Sequence, residues 1–279
     1  MQHVRRHGAY QGQEMKNDFE IITRQFPNQD IKIYGFFDVH LGASEHLEKP
    51  FLDFRDSILR DPNAYCIMGG DLINNATRSS VSNVFEETMR PREQKRLMTQ
   101  ILEPLAKENR ILCLVSGNHE RRSMKEADDD PTYDIACKLD IEDIYRPNMA
   151  FVKLQFGNNR NGGEHNPTYI IMAAHGAGGG SMTGGAVNRS EKFSYTVDGV
   201  DLIMIGHTHK AFVTAPAKIK VDPRKNLVSF KPVKIVSMAS WLAYGGYAAQ
   251  KMLPPTSTAD QIPQIVILHG KEKWVEVRM

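Results

Sequence analysis

Cysteine is scarce in this chain: 279 residues carry three, Cys66, Cys113 and Cys137, and no two of them form a C-x-x-C pair. That spacing excludes a thiolate-built zinc knot and a disulfide scaffold, and the apolar setting of the three thiols fits reduced core residues. Long apolar runs are missing as well. No stretch approaches the ~20 apolar residues of a membrane-spanning helix. The first twenty residues, MQHVRRHGAYQGQEMKNDFE, hold no apolar core of the kind that makes a signal peptide. A soluble, cytoplasmic protein without a membrane partner is the expectation. A charge bias is lacking too, with 35 Lys and Arg against 33 Asp and Glu. Any nucleic-acid partner must therefore meet a local patch, because the global field is close to neutral. No protein partner is signalled. No repeat, low-complexity tract or convincing linker divides the chain, and 41% hydrophobic residues suffice for one sizeable core.

What is present is an alternation. After a polar stretch over residues 1–29, read as an N-terminal extension, residues 30–279 read as a single domain. IKIYGFFDVH, AYCIMGGD and ILCLVSGNHE are β-rich runs. Between the first two, Leu47, Phe51, Phe54 and Ile58 recur at helical spacing. Between the second and third, Leu97, Ile101 and Leu105 do the same, with Pro104 expected to kink or break that helix. Strand, helix, strand, helix, strand is the pattern of a parallel sheet with its ligand crevice at the carboxyl ends of the strands. Asp130-Pro131 marks a further helix start. Beyond it lie FVKLQFG, YIIMAAHG, DLIMIGH, VKIVSMAS, QIVILHG and KWVEVRM, short β-rich runs with little helix between them. They suggest a second, mixed or antiparallel sheet facing the first.

The strand ends share one chemistry. Asp38 and His40 close the first run, Asp71 the second, and Asn118, His119 and Glu120 the third. His175, His207 and His209 close later ones. Residues two apart on a strand point the same way, so His207 and His209 can both reach one small object. Imidazoles, carboxylates and an amide oxygen without thiolates suit first-row divalent ions. Seven candidate ligands exceed one tetrahedral ion and suit two ions bridged by a carboxylate, an arrangement used at roughly 3.5–4 Å separation for displacement at phosphorus.

In order and glycine context, Asp38-Val39-His40, Gly70-Asp71, Gly117-Asn118-His119-Glu120, His175 and Gly206-His207-Thr208-His209 resemble the calcineurin-like metallophosphoesterase superfamily, whose pattern is DxH, GD, GNH[DE], H and GHxH. The resemblance covers roughly residues 31 to 240. It implies a four-layer αββα sandwich with two mixed sheets and a dinuclear site. Asp38, His40, Asp71 and His209 would hold one ion, and Asp71, Asn118, His175 and His207 the other, with Asp71 as the bridge. His119 would face the substrate as a non-ligand, positioning phosphate or protonating the leaving oxygen. The ions are expected to be two divalent cations, manganese first, with zinc, iron or nickel as alternatives.

Such ions acidify water, and a hydroxide bridging them is the expected nucleophile. Arg121, Arg122 and Arg189 are candidate phosphate contacts. GAGGGSMTGGAVNRSEKF after His175 lacks a P-loop ending and is read as a mobile loop or lid. YGGY at 244–247 is read as a turn. His3, His7, His46 and His165 read as solvated, and His269 ends an apolar run without a motif. The arginine that protein phosphatases of the superfamily place after GD is missing from GGDLINN. The motif style is similar to that of phage and prophage proteins of DNA-repair-exonuclease type, although only seventy residues follow His209. Hydrolysis of a phosphodiester, with nucleic acid or a nucleotide as candidate substrate, is the expected function. A phosphomonoesterase is the alternative, and a noncatalytic metal-binding scaffold the third reading.

Overall fold

A computed structural model describes residues 19–78, 80, 84–157, 166–178, 182–255 and 264–279. The chain runs through β1 (Ile22–Phe26), β2 (Ile31–Phe36), α1 (Glu48–Arg60), β3 (Ala64–Met68), α2 (Pro91–Lys107) and β4 (Ile111–Val115). Then come α3 (Glu120–Ala127), α4 (Pro131–Lys138), β5 (Tyr145–Arg146), β6 (Met149–Phe156) and β7 (Thr168–Ala174). The rest comprises α5 (Thr183–Thr196), β8 (Leu202–Ile205), β9 (Phe212–Thr214), β10 (Ala217–Asp222), β11 (Leu227–Pro232), β12 (Lys234–Ser237), α6 (Gly246–Gln250), β13 (Ile265–Leu268) and β14 (Val275–Arg278).

β2, β3, β4 and β5 are parallel neighbours, and β13 and β14 return antiparallel to complete a sheet of order β14-β13-β2-β3-β4-β5. The second sheet, β1-β6-β7-β8-β12-β9, mixes parallel and antiparallel pairs. Side chains of both sheets share one core. α1 and α4 cover the first sheet with α2 against both, and α5 covers the second at β8, β12 and β9. The expected four-layer αββα arrangement of two mixed sheets is what the chain adopts.

Local chemistry accounts for the helices. α4 starts where Asp130 accepts hydrogen bonds from the backbone N–H groups of Thr132 and Tyr133, both at 3.1 Å, with Pro131 at its first position. α2 also opens on a proline, and Glu93 reaches back to the Arg90 N–H at 3.0 Å. Pro104 does not break α2, which continues to Lys107. It stands in the last turn, and Gln100, whose carbonyl loses its partner, is exposed, so water can take that bond.

Three other expectations are corrected. Ile22–Phe26, within the stretch read as an extension, pairs in parallel with β6 from Ile22–Val152 to Phe26–Phe156. Its apolar content is only Ile22 and Phe26 around Thr23, Arg24 and Gln25, too thin a signal for an edge strand. The segment read as a loop after His175 forms α5 from Thr183 onward, burying Ala186, Ser190 and Ser194 on one face; small residues make that stripe hard to see as apolar. Cys137, read as a core thiol, is exposed, while Cys66 and Cys113 are buried.

α1 bears directly on the functional end of the sheets. Phe51 and Ile58 face the core, and Phe51 meets Phe36 edge-on at 5.3 Å and Trp241 at 5.5 Å. Trp241 donates its backbone N–H to the Asp38 carbonyl at 3.0 Å and accepts from the Leu47 N–H at 2.8 Å. This aromatic cluster therefore fixes the loop that carries Asp38. Phe51→Ala is expected to cost about 3–5 kcal/mol, measured by chemical denaturation. Tyr195→Ala, at an exposed position of α5, is expected to stay within about 0.5 kcal/mol of the parent.

Candidate metal centre

β2, β3 and β4 point their carboxyl ends the same way, as do β7 and β8. Asp38 and His40 follow β2, Asp71 follows β3, Asn118 follows β4, His175 follows β7, and His207 and His209 follow β8. All seven candidate ligands meet there. Three sets of side chains bring ligand atoms within 4.8 Å of one another: Asp38, His40 and His209; His40, Asp71 and His119; Asp71, His175 and His207.

The backbone bends hard to achieve this. Asp38, His40, Asp71, His207 and His209 have φ of +52°, +50°, +51°, +67° and +55°. That left-handed region costs a residue with a side chain of order 1 kcal/mol or more and gathers at functional sites. The motif glycines answer a packing demand at the same bends. A Cβ on Gly117 would collide with Asp71 Oδ1, and one on Gly206 with Asp38 Oδ2.

Each aspartate divides its oxygens between structure and site. Asp38 Oδ2 accepts the His207 N–H at 2.7 Å, and Asp71 Oδ1 accepts the His119 N–H at 2.8 Å. The second oxygens face the histidines. Asp38 Oδ1 is buried without a hydrogen-bond partner, 3.3 Å from His209 Nε2 and 3.9 Å from His40 Nε2. Asp71 Oδ2 lies 3.2 Å from His175 Nε2, 3.8 Å from His40 Nε2 and 3.7 Å from His119 Nε2. Asn118 Oδ1 sits 2.9 Å from His175 Nε2 and 2.7 Å from His207 Nδ1.

Outer partners orient the rings. His175 Nδ1 donates to the Gly69 carbonyl at 3.0 Å, and His40 Nδ1 faces the Asn74 side-chain oxygen at 3.2 Å. Asn74 is held in turn by Glu87. Both rings thus present Nε2 inward, the role that outer hydrogen bonds serve at metal-ligating histidines. An orphaned buried carboxylate oxygen opposite inward-facing imidazole nitrogens fits a divalent cation, and the all-N/O donor set fits first-row ions. Burial disfavours a charged His175, but Asp71, Asp38 and Glu120 outweigh it and hold its pKa up at about 10. Burial, reinforced by Arg122, takes His119 down to about 4.

The sequence reading gave Glu120 no role beyond completing a motif, and it is central here. It is fully buried, accepting Leu72 N–H at 2.7 Å and Ile73 N–H at 3.2 Å on Oε1, and Asp71 N–H at 3.0 Å and Gly117 N–H at 2.9 Å on Oε2. One carboxylate therefore ties the loop of Asp71 to the loop of Asn118. Burial and the nearby Asp71 push its pKa up to about 7. The acid directly after Asn118-His119 was the available signal.

The arginines divide. Arg122 Nη1 donates to the Asn74 carbonyl at 3.0 Å, and Nη2 lies 2.9 Å from His119 Nε2, at the edge of the cluster. Arg189 packs against Gly178, three residues past His175. Arg121 Nη2 donates to the Pro147 carbonyl at 2.9 Å, which commits its head group to the turn before β6. His46, read as solvated, donates from Nδ1 to the Val39 carbonyl at 2.8 Å and packs on Phe51. His3, His7 and His165 lie outside the described residues. His269 stands 3.0 Å from Asp30, away from the cluster. In the 244–247 segment, the Tyr244 hydroxyl donates to the Leu253 carbonyl at 3.1 Å.

This fold and this cluster of strand-end ligands define a class. Residues 31–211, well over half of the chain, match the family described as calcineurin-like phosphoesterase. The chain belongs to that family. Among solved structures it is similar to a predicted phosphoesterase from Streptococcus pneumoniae, at 10% identity and TM-score 0.36, covering 89% of this chain and 88% of that one. It is also similar to the Pseudomonas putida nuclease MPE, at 15% identity and TM-score 0.32, covering 88% and 87%. A metallophosphoesterase from Sphaerobacter thermophilus matches at 12% identity and TM-score 0.34, covering 85% and 83%. No curated protein matches. Among the described residues no helix is long and apolar enough to cross a membrane.

Because Glu120 sets the loops of two candidate ligands, Glu120→Gln is expected to reduce bound metal. The amide cannot accept on both of its terminal atoms, so two of the four N–H groups lose their partner. Elemental analysis of the stripped and manganese-refilled variant should give less metal than the parent; an equal content would show that the clamp does not govern the ligands.

Proposed function

We propose that this protein is a dinuclear metal-dependent phosphoesterase that hydrolyses a phosphodiester, with nucleic acid or a nucleotide as the substrate class. The observation that carries the reading is the position of Asp71 Oδ2, 3.2 Å from His175 Nε2 and 3.8 Å from His40 Nε2. One carboxylate oxygen faces two ligand sets. Asp38, His40, Asp71 and His209 would hold one ion, and Asp71, Asn118, His175 and His207 the other. Bound ions supply charge neutralisation for phosphoryl oxygens and an acidified water as nucleophile.

The chain's own residues prepare the rest. Arg122, anchored on the Asn74 carbonyl, offers a guanidinium to a phosphoryl oxygen at the rim, as a planar donor pair suits. His119 is fixed by its Nδ1, 2.7 Å from the same carbonyl. With Nδ1–H donating there, Nε2 carries the lone pair and takes a hydrogen bond from Arg122. That geometry supports a positioning role, aligning Arg122 with the phosphate, over proton donation to the leaving group. Where protein phosphatases of the superfamily carry an arginine, this chain has Asn74 and Asn75, turned toward Glu87 and Ser123 respectively. Arg122 is then the guanidinium at the rim without a second one from that segment, which favours a diester over a dianionic monoester carrying more charge.

His119→Ala is expected to keep both ions and to lower kcat about a hundredfold, equally for good and poor leaving groups. Slowing confined to poor leaving groups would instead assign it the proton. Substrate class is read by supplying metal-stripped protein with Mn, Zn, Ni or Mg, then comparing bis-p-nitrophenyl phosphate with p-nitrophenyl phosphate. Metal-restored diester cleavage well above monoester cleavage is the expected result. Monoester preference would assign a phosphatase, and two bound ions without turnover on either would assign a metal-binding scaffold.

A further inference from the structure

The hairpin of β10 and β11 turns its faces the opposite way from a ribbon packed on a body. Ile219 pairs directly with Phe230, and Val221 with Val228, so the four share one face. They are between 63% and 76% exposed. On the other face Lys218 opposes Lys231. Lys218 Nζ donates to the Val197 carbonyl at 3.2 Å, and Lys231 Nζ lies 3.8 Å from Asp198. The cationic side faces inward and the apolar side outward. A two-stranded ribbon is marginal in water by itself, and a contiguous exposed group of large apolar side chains marks an interaction surface.

Charge indicates what covers it. Residues 217–232 hold Lys218, Lys220, Arg224, Lys225 and Lys231 against Asp222 alone. Residues 126–143 show the reverse, with eight acids against Lys138 alone. Lys95 takes up Asp129 and Asp134, and Asp130 caps α4. Asp128, Asp140, Glu142 and Asp143 remain exposed in the segments flanking α4, which itself exposes Tyr133. α4 lies over β4 and β5, and β4 packs against β6. The hairpin leaves from β9 and β12, at the opposite end of the second sheet from β6. The two complementary surfaces are therefore on opposite edges of one copy.

We propose that the β10–β11 hairpin docks on the acidic α4 surface of a second copy of this chain. Arg224 and Lys225 meet Asp140, Glu142 and Asp143, and the apolar quartet covers Tyr133. Apolar burial supplies the attraction, while the charges fix the partner and the orientation. Since the contact joins two different surfaces on opposite edges, it runs head to tail and closes as a ring or continues as an open filament.

The test is the molar mass of the full chain by light scattering and sedimentation, over a concentration series into the tens of micromolar. The parent is expected to assemble beyond a monomer and to loosen as salt rises. Ile219→Ser with Phe230→Ser, Arg224→Glu with Lys225→Glu, and Asp140→Lys with Glu142→Lys should each give a monomer with an unchanged circular-dichroism spectrum. Combining the two charge-reversed pairs should restore assembly. A parent that is monomeric throughout, assembly that survives either charge reversal, or a combined variant that stays monomeric would each overturn the proposal.

Discussion

Two carboxylates, Asp38 and Asp71, are withdrawn from water where the two sheets meet, and the remainder of the site answers that cost. An isolated carboxylate in such a place would take up a proton. Asp71 instead stays well below the usual carboxylate range: burial acts to raise it, and His175, first among the imidazoles around it, outweighs that. Asp38 is lowered as well, chiefly by His209 against the same burial. Each also receives a backbone N–H from a neighbouring loop. The acids and imidazoles thus justify one another's burial, and neither set is tolerable in that place alone.

Geometry then explains why the site falls at strand ends. A strand lays side chains alternately on two faces and cannot by itself converge several on one point. Left-handed turns at Asp38, His40, Asp71, His207 and His209 redirect the side chains inward immediately past the last ladder bond. Asp and His are among the residues that accept this conformation most readily. Strain at so many positions persists only if the surroundings over-determine it. Glu120, with four backbone N–H groups from two loops, and Trp241, bonded to the Asp38 carbonyl, are the visible restraints.

The same logic sets what was legible in the sequence. The candidate positions that meet at the strand ends could be read because their residue types and glycines are forced by chemistry: Gly117 and Gly206 leave room for the aspartate oxygens. The parallel strands β2, β3 and β4 were legible because buried strands must be apolar throughout. β1 and α5 were not, since an edge strand with two buried residues and a helix burying alanine and serines leave little periodic signal. The direction of Arg121 toward Pro147, against that of Arg122 toward Asn74, depends on which side of α3 each leaves. Adjacent arginines in a loop-helix junction carry no such information in one dimension. The exposed face of β10 and β11 was invisible for a different reason: alternation reports that a strand has two faces, and tertiary packing decides which of them meets the body.

The partition of ligands between the sheets links the site to the fold. Asp38, His40, Asp71 and Asn118 come from the first sheet, and His175, His207 and His209 from the second. Each ligand set implied by the family pattern draws on both. A cation held by Asp38 and His209, or by Asp71 and His175, therefore binds only when the two sheets are docked in register, and it has far weaker partners in the unfolded chain. Binding free energy at such a site is also stability free energy. The inward pairing of imidazoles with carboxylates keeps the seam closed while the protons remain, and cations would replace those protons across the same seam. The sandwich interface and the candidate metal centre are then one structure, which is why the strained turns, the Glu120 clamp and the aromatic support under Asp38 all gather at this end of the molecule.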